Sequence, residues 1–426
     1  MRCVSEVRGA GAPPFLAAPA LTSAAAYDTP PADTVAFRPW ATRAILASLL
    51  GVFALEAVTG STTSTVTLWH LGANYAPSVR AGQVWRLLSS AFLHVGPLHL
   101  LVNGLALNAF GPLLELVLGR ARFLLLYAFG ALGGGLGSFV AAGDGRVSAG
   151  ASGALWGLMA AEFALGFAGG DLLPEELRHG LRRAGVRLLG LNLLISLLPG
   201  IDLAAHLGGG LVGALLVGSR LLTRGRRAEL VRRDTRGARA VTAAAALAWA
   251  IVVGALATGI VAGRPWDVRR PPERWRLAAL PGSDFSLELP PTFTLQRVPA
   301  QDDDARAYVA GHLALHPLAV SIQLLRTEPG AGDDPATYAA AMLAEALRAR
   351  RPAGEGVREA QRVTLAGRPF VALTYAGASG DTHPAWVGLL DGATVRLDVF
   401  ARDDAAPAWR EAEVRFVTSL RRRSPS

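Results

Sequence analysis

Between residue 43 and residue 263 the chain is a succession of apolar stretches, several long enough to cross about 30 Å of hydrocarbon, and past Arg264 they stop. Seven membrane-crossing helices are predicted: Ala41–Gly60, Pro97–Leu118, Ala121–Ala142, Gly150–Gly169, Val186–Leu198, Leu203–Leu222 and Val241–Ala262. Residues 1–38, rich in Ala, Pro and Thr, lack helical periodicity and the basic-apolar-cleavage order of a signal peptide, and read as a disordered cytoplasmic tail. After a Pro- and Arg-rich linker, Arg264 to Arg276, the period changes. Phe285–Leu289, Ala319–Leu325, Phe370–Tyr375 and Thr394–Phe400 alternate as strands do, while Tyr338–Arg348 and Ala408–Leu420 carry apolar residues at helical spacing. The fold class is therefore a polytopic α-helical membrane protein with a C-terminal soluble α+β domain.

Composition agrees: 51% of residues are hydrophobic and mean hydropathy is +0.33. The net charge of +9 does not point to nucleic acid, because the arginines cluster in short loops between apolar runs. Arg120 and Arg122 follow span two, Arg178, Arg182, Arg183 and Arg187 lie between spans four and five, and Arg220 to Arg239 separate spans six and seven. Those loops are expected in the cytoplasm and those around Asp144 and Asp202 outside, which puts the N-terminus in and the C-terminal domain out. The first outer loop, Ser61 to His94, carries Trp69, Tyr75 and Trp85 as an interfacial segment would. A basic set without a single lysine, beside abundant Ala, Gly and Leu, points to a bacterial gene of high GC content. The lone Cys3 excludes an internal disulfide framework and a cysteine-based metal site.

Polar residues inside spans are costly and are functional candidates by default. They are His99, Asn103, Asn108 and Glu115 in span two, Ser152 and Glu162 in span four, Asn192 and Ser196 in span five, and His206 in span six. Ser152 begins a span within Gly150-Ala151-Ser152-Gly153, where first-turn N–H groups lack intrahelical acceptors and can face an oxyanion; the same string also serves plain helix packing. His206, in Ala205-His206-Leu207-Gly208-Gly209, is either a buried cross-helix hydrogen-bonding histidine or a base at the depth of Ser152. Gly153-xxx-Gly157 and Gly209-xxx-Gly213 are small-xxx-small patterns that would bring the two helices together. His99 and Asn103 share a helix face, as an interface pair or as oxyanion donors. His312, His316 and His383 read as surface or packing residues, and the C-terminal domain carries no catalytic constellation.

In order, Trp85-Arg86, Phe92, His94, His99, Asn103, Phe110-Gly111, Glu115, Gly119, Tyr127, Gly150-Ala151-Ser152-Gly153, Pro199-Gly200-Ile201-Asp202 and Ala205-His206-Leu207-Gly208-Gly209 resemble the rhomboid family over about residues 80 to 222. The resemblance implies a six-helix core, with one further C-terminal span outside it. It implies a serine endopeptidase that cuts single-span membrane proteins near the outer membrane face, with a Ser152–His206 dyad and no third acid. His99, Asn103 and the Ser152 backbone N–H would bind the oxyanion, beside Gly150. Trp156 stands where the family places an aromatic ring against the histidine, although tryptophan is bulkier than its usual residue there. His94, Trp85, Arg86 and Glu115 would be structural.

The expected divisions are the tail 1–38, the catalytic core 39–225, a cytoplasmic loop and seventh helix 226–263, and an extracytoplasmic domain 264–426 that recruits a substrate or protein partner. The expected setting is the bacterial inner membrane; the partners are transmembrane substrates and the bilayer, with no cofactor and no metal. A zinc protease would need the absent His-Glu-x-x-His, and an aspartyl one two aspartates inside spans, whereas Asp144 and Asp202 fall in loops. A transporter would show an inverted repeat, which the sequence lacks. A catalytically inactive rhomboid-like scaffold is the alternative that the presence of both dyad residues disfavours.

Overall fold

The computed structural model describes residues 37–141, 146–226, 235–300, 305–311, 315–326, 335–348, 356–376, 382–390, 393–402, 405 and 407–422. The expected tail with Cys3, the Asp144 loop centre, the arginines from 227 to 233 and His312 lie outside these residues.

The helices are α1 (Trp40–Thr59), α2 (Thr65–His70), α3 (Ala76–Arg80), α4 (Arg86–Ser89), α5 (Gly96–Leu118), α6 (Arg120–Ala141), α7 (Ser152–Ala168), α8 (Glu175–Ser196), α9 (Leu203–Gly218) and α10 (Thr235–Gly263). Four of them, α1, α5, α6 and the apolar part of α10, are long and apolar enough to cross a membrane, and α7 and α9 are shorter apolar helices. Their outward faces carry bare apolar side chains such as Leu98, Leu105, Leu211 and Val261, a surface suited to lipid and not to water. Inward, Leu107, Leu114, Phe123, Tyr127 and Leu158 are fully buried in one core.

Three spans differ from hydropathy, one being α10, which begins at Thr235 and not Val241. Helix α8 begins at Glu175, not Val186, because its arginine-rich first half still turns Leu181 and Gly185 inward, Gly185 against the Phe163 ring of α7. Helix α9 stops at Gly218, not Leu222, and Arg220 takes a left-handed φ of 64° directly after it. The predicted interfacial loop is largely helical, containing α2 to α4. It is held by the buried Arg86, whose Nη1 donates to Trp69 O and Ala73 O while its guanidinium lies 4.8 Å from the Trp69 ring.

Beyond α10 the chain is sheet-rich, as a soluble domain would be. Strands β5 (Leu295–Val298), β6 (Ala305–Ala310), β7 (Leu318–Arg326), β8 (Gly356–Leu365), β9 (Arg368–Ala376), β10 (Thr382–Leu390) and β11 (Ala393–Ala401) form one antiparallel sheet ordered β5-β6-β7-β11-β10-β9-β8. A smaller sheet joins β3 (Arg276–Ala279), β4 (Phe285–Leu289) and β12 (Arg421–Arg422). Helix α11 (Pro335–Arg348) agrees with the helical period, but the predicted Ala408–Leu420 helix is two, α12 (Pro407–Glu411) and α13 (Glu413–Ser419). The break at Ala412 lets Trp409 and Phe416 both reach the buried core, where each packs on Phe293.

This region rests on the loop after α1. Trp69, Tyr75 and Leu315 form a small buried cluster, His316 meets Trp69 edge-on at 5.0 Å, and the Nδ1–H of His70 donates to Gly263 O at the end of α10. Burial, then the neighbouring His316 and Arg86, drive the His70 imidazole down to about 3, against hydrogen bonds to the Gly263 and Arg264 backbone that raise it.

Candidate active site

The last residues of the short β2 strand (Val147–Ser148), which pairs with β1 (Asn74–Tyr75), lead straight into Gly150. The Gly150 N–H donates to Ser90 O, and its φ of 144° is one that L side chains rarely adopt. A Cβ there would also lie 2.7 Å from His99 Cε1 and 3.7 Å from Ser152 Oγ. Glycine is thus required twice over, and the same contacts show how close His99 and Ser152 stand to this turn.

Ser152 opens α7, whose first-turn N–H groups are without intrahelical acceptors. His206 lies in the first turn of α9, which Asp202 caps by accepting from Ala205 N–H at 3.1 Å and from Ser138 Oγ at 2.7 Å. Burial raises the Asp202 carboxyl, but hydrogen bonds from Ser148, Ser138 and Ala205 and the charge of Arg146 outweigh it and hold the group below its ordinary value. Helices α7 and α9 meet backbone to backbone: a Cβ on Gly209 would fall 1.9 Å from Gly153 O, and one on Gly213 2.0 Å from Gly157 O. Both small-xxx-small patterns are spent on this contact, which sets Ser152 and His206 on neighbouring helices at one level.

Both line a cavity of about 410 Å³ together with His99, Asn103, Gly150 and Trp156. The apolar remainder of its wall includes Val102, Ala106 and Phe110 of α5 and Ile195 of α8. Among the described residues no hydrogen bond joins Ser152 to His206, a common state for a nucleophile and base without substrate. The Trp156 ring stacks on His206, 5.3 Å between centroids and 17° from parallel.

The donors have a clear orientation. Val95 N–H donates to His99 Nδ1, so a neutral His99 carries its proton on Nε2, toward the cavity. Asn103 is 4% exposed, and its Nδ2 has no hydrogen-bond partner. A buried unsatisfied donor costs about 1–3 kcal/mol, and here it belongs to a residue of the cavity wall.

His94 is fully buried with its ring edge-on to His99 at 5.3 Å, and its backbone N–H donates to Glu56 Oε1. Asn108, Glu115 and Glu162 do not line the cavity. Two residues of α8 belong to the site although the sequence assigned them no role. Asn192 lines the cavity, and Ser196 lies behind His206. Their presence among the polar residues of span five was the one available signal. Among the described residues no cluster of His, Cys, Asp or Glu could hold a metal ion.

The rhomboid domain family model matches residues 81–222. The chain is 32% identical over 193 residues to rhomboid protease GluP of Bacillus subtilis, covering 43% of this chain and 35% of GluP. To RHOMBOID-like protein 5 of Arabidopsis thaliana it is 38% identical over 158 residues, 36% of this chain and 49% of that protein. These matches therefore span half or less of those two relatives. YdcA of Bacillus subtilis, also named a rhomboid protease, is 37% identical over 153 residues, 36% of this chain and 72% of YdcA. Among solved structures, the solution structure of PsbP from Synechocystis covers 34% of this chain at 12% identity with a TM-score of 0.26, too low to assign a fold. With its apolar helices, a matched rhomboid domain and a relative covered over most of its length, the chain is a multi-pass membrane protein and belongs to the rhomboid family.

Proposed function

We propose that this protein is an intramembrane serine endopeptidase that cleaves single-span membrane proteins, with Ser152 as nucleophile and His206 as general base. The observation that carries the reading is the shared cavity, whose wall brings a serine and a histidine from two glycine-packed helices together with His99 and Asn103, the Nδ2 of the latter unpartnered. The Ser152 Oγ–H proton passes to His206 Nε2 as Oγ bonds to the scissile carbonyl carbon. The oxyanion is received by Asn103 Nδ2, His99 Nε2 and the Ser152 backbone N–H. Collapse breaks the C–N bond, with His206 returning its proton to the leaving amine. Water then attacks the acyl-enzyme through the same base, releasing the acid and restoring Ser152.

The site sits in a chamber walled by helices, where polar groups within a membrane are tolerated because they line water. A substrate helix must unwind to present a carbonyl, so small or helix-breaking residues near the membrane face are the expected cleavage context. Six crossings within 39–225 and a seventh within 226–263 complete the membrane part. The tail, 1–38, is then cytoplasmic, and 264–426 is an extracytoplasmic domain of a bacterial inner-membrane protein, serving to engage a substrate or protein partner.

The test is labelling of detergent-purified protein with a fluorophosphonate probe. Wild type is expected to label, and Ser152→Ala and His206→Ala are not. Folded wild type that resists the probe, or Ser152→Ala that labels equally, would replace this reading with that of an inactive scaffold.

A further inference from the structure

His206 Nδ1, the ring nitrogen turned away from the reaction, is 2.6 Å from the hydroxyl of Ser196. Ser196 ends α8 and is 2% exposed, and its Oγ is also 2.6 Å from Asn192 O. Back-bonding from a serine to the carbonyl four residues earlier is ordinary in helices and by itself means nothing. Its consequence here comes from counting protons. A hydroxyl has one proton, a carbonyl can only accept, and the proton given to Asn192 O leaves Ser196 Oγ nothing but a lone pair for His206. Nδ1 must then be the protonated nitrogen, and Nε2 the free base.

We infer that Ser196 is a positioning residue behind the Ser152–His206 pair, fixing the tautomer and ring plane of His206 with a neutral hydroxyl where soluble hydrolases use a carboxylate. The inference rests on the protease reading above. Two contacts define the ring: Trp156 holds its face at 5.3 Å and Ser196 its distal edge. As His206 takes the Ser152 proton, the Nδ1–H to Oγ hydrogen bond persists and is strengthened by the new charge, so no group moves and no further proton transfer is needed. At Ser196, 2% exposed, a neutral hydroxyl avoids the desolvation cost that a carboxylate would carry in its place. The bond also joins α8 to α9 across the Leu197–Asp202 turn, so the position of the α8 end enters directly into the geometry of the base.

The experiment combines steady-state cleavage of a model transmembrane substrate, fluorophosphonate labelling rates and ¹⁵N NMR of imidazole-labelled protein, for wild type, Ser196→Ala, Ser196→Thr and Ser152→Ala. Ser196→Ala is expected to lower kcat about 100-fold with KM nearly unchanged, since the loss falls on proton transfer and not on binding. Ser196→Thr, which keeps the hydroxyl, is expected to restore most of the rate. The spectrum of wild type is expected to show Nδ1-protonated His206, and that of Ser196→Ala a mixture. Wild-type labelling with Ser196→Ala at the wild-type rate overturns this inference and leaves the protease reading standing. So does an Nε2-protonated His206 in wild type, a result that needs no variant to fold. Unlabelled wild type overturns both.

Discussion

The Glu115 carboxylate at the end of α5 caps a helix to which it is not joined: it accepts from the Ala41 N–H at 3.0 Å, and from the Thr42 N–H and Oγ at 2.9 Å each. Those are first-turn donors of α1, which no local side chain satisfies. The resemblance placed Glu115 among the structural residues, and the geometry supplies the reason. Glu115→Ala is expected to cost about 2–4 kcal/mol, because three buried donors lose their acceptor at once. Glu115→Gln, with one acceptor oxygen kept, is expected to cost less. Thermal unfolding in detergent, compared across the two variants, measures the difference; equal melting points for Glu115→Ala and wild type would refute the cap.

The α7–α9 contact makes a second expectation position-specific. Gly213→Ala puts a methyl 2.0 Å from Gly157 O and has to separate the helices that carry Ser152 and His206. A strain of about 1–3 kcal/mol and a loss of most probe labelling are expected. Gly218 lies on the same helix with open space around it, so Gly218→Ala should leave both stability and labelling as they were. If the two substitutions behave alike, close packing is not what sets the dyad.

Removal of the unpartnered amide tests the oxyanion site. Asn103→Ala is expected to reduce kcat about 100-fold with little change in KM, because the donor is used only when charge develops on the substrate oxygen. A change confined to KM, read from progress curves at several substrate concentrations, would assign Asn103 to ground-state binding.

Acid should loosen the sheet-rich region from the loop after α1. His70 is buried and neutral, held down to about 3, with His316, Arg86 and Arg264 as its titratable or charged neighbours. The unfolded or undocked imidazole takes a proton near 6.5 while the docked one does not, so stability is full above that value and falls as pH drops from about 6.5 toward 3. The slope is about 1.4 kcal/mol per pH unit, or roughly 2 kcal/mol lost by pH 5. Hydrogen exchange across residues 305–311 and 315–326, followed from pH 7 to pH 4.5, should accelerate in wild type and show a flatter response in His70→Leu. Equal slopes would remove His70 from this role.

Much of this protein was legible in its sequence, because hydropathy and glycine spacing are local properties. Runs of apolar residues mark α1, α5 and α6 within one position and the C-terminal end of α10 equally well, since a membrane helix must hide its backbone inside one continuous segment; the start of α10 lies six residues before its apolar run. Gly153-xxx-Gly157 and Gly209-xxx-Gly213 predict a close helix pair, and motif and polarity by themselves single out Ser152, His206, His99 and Asn103, which line one cavity. Hydropathy failed at the first half of α8, where Arg178 and Arg182 lie on the face that Leu181 and Gly185 turn toward α7, Arg182 against Gly166 and the Phe167 ring, so the inward stripe is broken by charge and only packing makes it visible.

The tertiary structure alone decided the partners of polar groups on different helices. Nothing in a serine near the end of a predicted span states that its lone pair will meet His206, or that a glutamate will cap a helix more than 70 residues away. Periodicity fixes which face of a helix is apolar, but not which residue of another helix that face will meet. That choice follows from how the glycine contacts set α7, α8 and α9 against one another, and the cost of an unsatisfied polar group then selects the pairs.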